Sequence, residues 1–209
     1  DTVTGSRTGL SPQLIGQGAD YAAQRLSFVT GTNNASMTAI RVTKSGSTNR
    51  TNISAVKVYW DDDNNGYYDD NDTLLGSGVY PGAGAVTITL SPAQTLTTTA
   101  KSYFIVYALT GGIPVSDTAG VNVTAATEIT IASPDTIATT NFPYSSRLST
   151  TQAADYGILL DQSLINVGAT VINQNYLVTT PVVVLITGNI GTTIAVRAAT
   201  VTSGSPWTI

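Results

Sequence analysis

Short stretches with an apolar residue at every second position recur along the first two thirds of the chain. Residues 25–30 put Leu26 and Phe28 on one face, 38–43 put Ile40 and Val42 together, 54–60 align Val56, Val58 and Trp60, and 85–90 align Val86, Ile88 and Leu90. A period of two marks a strand with one face in a core. Residues 74–80, 121–125 and 128–132 read the same way. Residues 101–109 differ, because Tyr103, Phe104, Ile105, Val106 and Tyr107 form an almost unbroken apolar run. Such a run is expected of a central strand covered on both faces. Turn-forming residues at 31–34, 45–49, 81–84 and 111–114 separate these segments and give the short strand spacing of a sandwich. The predicted fold is all-β, an immunoglobulin-like or jelly-roll β-sandwich.

The pattern also divides the chain. Residues 1–20, rich in Gly, Ser and Thr, read as an extended N-terminal arm with one weak strand at 13–15. Residues 21–133 hold the sandwich, and 134–154, with Pro134, Pro143 and a Ser/Thr tract, read as an irregular connection. Residues 155–209 form a C-terminal β segment with expected strands at 157–164, 167–172, 181–187 and 192–201, of which 182–186 is the most apolar. This segment either completes the sandwich or starts a second small unit.

Composition sharpens the class. Only 11% of residues are charged, against roughly 25% in an ordinary soluble domain, and Ser plus Thr make up about a quarter of the chain. The surface is therefore hydroxyl-rich, and the abundant Thr and Val favour strands over helices. There is no cysteine, so neither a disulfide nor a thiolate metal site can form. No apolar run approaches the ~18 residues needed to span a bilayer, so no membrane span is expected, nor the long apolar N-terminal helix of type IV pilins. A sequence that starts at Asp1 without a signal segment reads as a processed product or a fragment.

Charge is concentrated rather than spread. Net charge is −4, yet six of the 13 acidic residues fall within 61–72, leaving 9 basic and 7 acidic groups elsewhere. Without a basic stripe, no nucleic-acid partner is expected. The acidic segment itself, DDDNNGYYDDND, places side-chain oxygens at its first, third, fifth, ninth and twelfth positions: Asp61, Asp63, Asn65, Asp69 and Asp72. Gly66 is sixth, and Tyr67 is seventh, where a backbone carbonyl would be offered. This is the spacing by which a sharply turning loop gathers six to eight oxygens around Ca²⁺. The last position carries Asp72 where glutamate is usual, a shorter arm that binds through one oxygen or draws the loop closer. The plainer reading is a solvated turn, since Asp, Asn and Gly favour turns by local hydrogen bonding. Against it, the six carboxylates lie within the ~8 Å screening length of physiological salt and repel one another without a cation.

The loop resembles the dockerin-type calcium loop, and the wider stretch ISAVKVYWDDDNNGYYDDNDTLLGSG resembles bacterial surface proteins with repeated immunoglobulin-like domains, in which such a loop joins two strands. The likeness is specific over 56–78, looser over 16–132, and absent afterwards. It implies a Ca²⁺ site at Asp61, Asp63, Asn65, Tyr67, Asp69 and Asp72 in an extracellular, cell-surface protein.

Enzymatic readings find little support in the residues. Histidine is absent and Glu128 is the sole glutamate, which removes the commonest general base and the Ser-His-Asp arrangement. A glycosidase pair would have to come from scattered aspartates such as Asp20, Asp117, Asp135, Asp155 and Asp161. Ser54 and Lys57 fit S-x-x-K, but three residues apart on a strand they point to opposite faces. Lys57 also suits an intramolecular Lys-Asn crosslink. Tyr59, Tyr67, Tyr68, Tyr80, Tyr103 and Tyr107 gather around the loop and the central strand, where exposed rings would bind sugars and buried ones build core. Sequons occur at Asn34, Asn49, Asn52, Asn71 and Asn122. The expected function is a non-enzymatic structural subunit of an extracellular fibre or surface layer, with itself as partner through strand addition by residues 1–20 or the strand near Val182. The competing expectation is an adhesin or carbohydrate-binding module that recognises surface glycans.

Overall fold

In the computed structural model of the protein, which describes residues 1–10, 14–82, 84–154, 158–160 and 184–186, the apolar run around Phe104 is the axis of a two-sheet sandwich. Among the described residues, thirteen strands build the first of two units, Asp1–Asp155. They are β1 (Thr2–Thr8), β2 (Leu14–Gly16), β3 (Asp20–Thr30), β4 (Ala35–Ser45), β5 (Ile53–Trp60), β6 (Thr73–Gly78) and β7 (Ala85–Leu96), followed by β8 (Lys101–Leu109), β9 (Thr118–Val123), β10 (Ile129–Ile131), β11 (Thr136–Ile137), β12 (Tyr144–Ser145) and β13 (Ser149–Gln152). One sheet has the order β11-β1-β3-β8-β5-β6. The other has β10-β4-β9-β13-β2, with β7 also on β4 and β12 also on β9. The all-β sandwich that the period-two pattern predicts is therefore the fold. No helix among the described residues is long and apolar enough to cross a membrane.

The alternation seen in sequence becomes the core. Leu26 and Phe28 of β3, Ile40 and Val42 of β4, Val56 and Val58 of β5, and Val86, Ile88 and Leu90 of β7 are all buried in one cluster between the sheets. β8 contributes Tyr103, Ile105, Tyr107 and Leu109 to that cluster. Its alternate residues Phe104 and Val106 face away from it and are nonetheless fully buried, so a second cover lies on the outer face of this sheet. Lys57 and Asp20 supply part of it, pairing at 2.7 Å beside Val106, which is in register with Lys57 and Ala22. The rest is the loop after β5.

Buried tyrosines tie the sheets together. The Tyr107 hydroxyl lies 2.6 Å from that of Tyr80 and donates to the Gly120 carbonyl at 2.8 Å. Burial pushes the Tyr107 phenol well above its ordinary pKa, so it stays a neutral donor. Tyr107→Phe strands Tyr80 and the Gly120 carbonyl without their shared partner, and a loss of about 1–3 kcal/mol is expected in denaturant titrations. An unchanged midpoint would show that the bridge contributes nothing.

Two boundaries read from sequence are corrected. Residues 1–20, expected as an extended arm with one weak strand, supply two strands of the sandwich: β1 pairs with β3 from Val3 to Thr8, and β2 pairs in parallel with β13. The strand escaped detection because its second core-facing position is Gly5, whose missing side chain leaves room for neighbouring rings. A Cβ there would lie 2.6 Å from the Tyr144 hydroxyl and 2.9 Å from Phe28. Residues 134–154, expected as irregular, supply β11, β12 and β13. Strands of two to four residues are too short to display a period, and the buried positions of β13 are Ser149 and Thr151 rather than apolar side chains.

The second unit is Tyr156–Ile209. Its described part is an antiparallel ladder of β14 (Ile158–Leu160) and β15 (Val184–Ile186), with Ile158 opposite Ile186 and Leu160 opposite Val184. The strands expected at 167–172 and 192–201 lie outside the described residues.

Candidate metal centre

β5 runs straight into Asp61, and β6 begins at Thr73 directly opposite Trp60, so residues 61–72 form the loop of a hairpin. The neck is fastened on both sides. The Asp61 N–H donates to the Ser102 carbonyl at 3.1 Å, prolonging the ladder toward β8, and the Thr73 hydroxyl donates to Asp62 Oδ2 at 2.8 Å. Within the loop the chain reverses through Asn64 and Gly66, at φ of 55° and 81°. Gly66 is required twice over, since left-handed backbone suits glycine and a Cβ there would lie 2.3 Å from Arg25 Nη1.

These turns bring three carboxylates together. One oxygen each from Asp61, Asp63 and Asp72 lie within 4.8 Å of one another, and the group can hold a metal ion. Asp61 is only 2% exposed. Its Oδ2 accepts from the Gly66 N–H at 3.2 Å, while its buried Oδ1 has no hydrogen-bond partner. Asp72 repeats the arrangement: Oδ2 accepts from the Asp69 N–H at 2.9 Å and the buried Oδ1 is bare. A buried carboxylate oxygen without a donor is costly. Two of them in one cluster of like charges are what a cation would relieve. Burial holds both carboxyl groups above the ordinary value near 3.8, more weakly opposed by the loop N–H bonds, and at Asp61 also by the nearby Arg25 guanidinium.

The remaining predicted ligands brace the loop. Asn65 donates through Nδ2 to Asp63 Oδ2 and to Asp69 Oδ2, both at 2.8 Å, and its Oδ1 accepts from the Tyr67 N–H at 2.7 Å. Asp69 accepts from the Asn71 N–H at 2.8 Å, which holds its carboxyl below the ordinary value. The Tyr67 side chain is 76% exposed.

Two contributors had no motif to announce them. Arg25, on β3, donates to the Gly66 carbonyl at 2.9 Å and pins the loop to the sheet. Tyr68 packs its ring 6.1 Å from Phe104 and 5.1 Å from Tyr59. The loop thereby covers Phe104 and completes the burial of β8 on its outer face. Only the strand order, which sets Arg25 beside Phe104, makes either connection visible.

Other candidate groups are engaged elsewhere. Among the described aspartates, Asp20 pairs with Lys57, Asp117 accepts from Ser47 at 3.1 Å, and Asp135 pairs with the α-ammonium of Asp1. Glu128 pairs with Arg41. Ser54 donates to the Ala108 carbonyl at 2.9 Å, away from Lys57. The partner of Lys57 is an aspartate rather than an asparagine, and its bond to Asp20 raises the ammonium pKa, which keeps the lysine protonated and non-nucleophilic. Of the six tyrosines near loop and spine, Tyr80, Tyr103 and Tyr107 are buried and only Tyr67 is fully exposed.

A scan against protein-family models finds no match to this chain, and a search of curated proteins likewise finds none.

Proposed function

We propose that this chain is a non-enzymatic structural subunit of an extracellular fibre or surface layer, stabilised by Ca²⁺ held at residues 61–72 and assembled by strand addition between copies. The observation that carries the reading is the pair of bare, buried oxygens of Asp61 and Asp72, presented by a loop that clamps the outer face of the central sheet. An ion there fastens a hairpin to a sheet, which is a mechanical task. All available side-chain donors are oxygens, in a chain without histidine or cysteine. Oxygen ligands suit hard cations, and an irregular loop of several carboxylates suits the larger and less exacting Ca²⁺ over Mg²⁺. Extracellular modules bind Ca²⁺ at about 10⁻⁴ to 10⁻³ M, which matches calcium outside cells. Since Thr2–Thr8 and Leu14–Gly16 already pair within their own sandwich, the strand near Val182 is the donor of choice.

Negative-stain electron microscopy of the purified chain in millimolar calcium, and again after chelation, tests this. Filaments or sheets that fray on chelation are expected. Discrete single particles in both conditions would sink the proposal. They would favour the second reading, a glycan-binding module, for which one feature speaks: a cleft of about 260 Å³ beside the loop, lined by Tyr67, Tyr68, Phe104, Ala22, Leu10 and Asp20. That reading requires Tyr67→Ala to abolish binding on a glycan panel.

A further inference from the structure

Arg25 stands apart from the paired basic side chains of the sandwich. Among the described residues, Arg41 faces Glu128 and Lys57 faces Asp20. Arg25 has no described carboxylate within salt-bridge reach, although it borders the most acidic segment of the chain. Guanidinium groups usually take carboxylates in a two-pronged grip. Here the half-buried side chain gives one bond, from Nη1 to the Gly66 carbonyl at 2.9 Å, and its buried Nε has no hydrogen-bond partner. Gly66 stands between the two kinds of charge: its N–H donates to Asp61 Oδ2 at 3.2 Å, while its carbonyl accepts from Arg25. A Cβ on Gly66 would lie 2.3 Å from Nη1, so the guanidinium rests directly on the loop. It is near enough for its field to favour the ionised form of Asp61 against the effect of burial, yet it leaves the buried Oδ1 bare.

We propose that Arg25 is the charge-matching residue of the metal centre and makes it select divalent over trivalent cations, an assignment that rests on the reading of residues 61–72 as a cation site. Asp61, Asp63 and Asp72 converge with three negative charges, and Arg25 returns one positive charge that is never titrated away. Two negative charges remain, which a divalent ion neutralises. The site is more than an acidic cluster, because Asp61 is 2% exposed and its Oδ1 is bare. An ionised oxygen so placed calls for a cation or a donor, and Arg25 gives it no contact. Instead the guanidinium softens the repulsion within the empty loop and repels the ion that fills it. The same charge thus favours the metal-free protein and lowers the affinity for metal. Ligand charge count tunes the dissociation constants of calcium loops, and a fixed cation beside the ligands subtracts from that count.

Neutral and charged replacements separate the charge of Arg25 from its contact. Arg25→Met and Arg25→Gln remove the charge, and Arg25→Lys keeps it. Tb³⁺ is close to Ca²⁺ in size and equally oxygen-seeking, and the loop tyrosines Tyr67 and Tyr68 can sensitise its emission, so luminescence titration with Tb³⁺ and calorimetric titration with Ca²⁺ read the two affinities. In the neutral variants the preference for Tb³⁺ over Ca²⁺ is expected to rise about threefold to tenfold, the effect of one unit of charge acting across a partly screened site. Arg25→Lys is expected to keep the wild-type ratio. Loss of the Gly66 contact cancels in that ratio, because it acts on the loop whatever ion is bound. Neutral variants that shift both affinities by the same factor, up or down, would reduce Arg25 to a mechanical pin and overturn the proposal. A lysine variant that shifts the ratio as far as they do would overturn it too. Wild-type protein that binds neither ion would overturn the cation site itself, and this assignment with it.

Discussion

At the proposed calcium site, replacing Asp61 with asparagine is expected to weaken binding of the ion about a hundredfold while stabilising the metal-free protein at neutral pH. The first effect follows from charge: one of three clustered carboxylates disappears, and two decades of affinity correspond to a little under 3 kcal/mol. The second has the opposite sign because Asp61 is buried with one oxygen bare. Without a cation, that ionised group is a burden on the folded state. Its folded pKa is raised, as is that of Asp72, chiefly by burial. Stability from these groups is therefore fully present below the ordinary carboxylate value near 3.8 and is lost as pH rises through their raised values. Asp69 shifts the other way, but the residue is only half-buried and its carboxyl reaches solvent, so screening leaves it little weight. Chelated wild-type protein should thus melt at a higher temperature when moderately acidified, whereas calcium-loaded protein should melt lower as protons compete for the ligands. Calorimetric titration and melting curves with and without chelator decide the matter. Unchanged affinity in D61N, or a lower metal-free melting temperature at pH 7, would contradict this account.

Phe104→Ala is expected to cost about 3–5 kcal/mol, as for other buried phenylalanines, which for a unit of this size lowers the melting temperature by about 10 °C. The informative comparison is Ile105→Ala, one residue away on the same strand. Ile105 faces the space between the sheets, whereas Phe104 faces the loop through Tyr68. Both changes destabilise, but only Phe104→Ala removes the floor on which the loop rests, so only it should also weaken calcium binding. Equal calcium affinity in the two variants would mean that the loop holds its shape without support from the sheet.

The parts of the fold legible in sequence are those where apolar side chains alternate over at least five residues. The double burial of 101–109 was visible as an unbroken apolar run, and the observed strand has the same limits. β1 was not legible, since a glycine occupies a core position and aromatic rings from Phe28 and Tyr144 fill the space it leaves. β13 was hidden because its inward residues are Ser149 and Thr151, whose polarity is satisfied locally: Tyr21 donates to Ser149 and Thr151 donates to the Pro114 carbonyl. At the loop, spacing pointed to six ligand positions, of which Asp61, Asp63 and Asp72 converge. It could not separate Asp61 and Asp72, with bare buried oxygens, from Asn65 and Asp69, which are spent on bonds within the loop. That distinction depends on burial, which depends in turn on Arg25 and Phe104 arriving from other strands.

The parallel pairing of β13 with β2 bears on how the molecule carries load. Tension applied along the axis of β13 meets ladder bonds on both of its sides. Ladder hydrogen bonds lie across that axis. Those that join β13 to β2 on one side and to β9 on the other are therefore sheared together instead of parting one after another. Rupture then requires the whole short ladder to slip at once, a geometry that resists pulling far better than the number of its bonds would suggest.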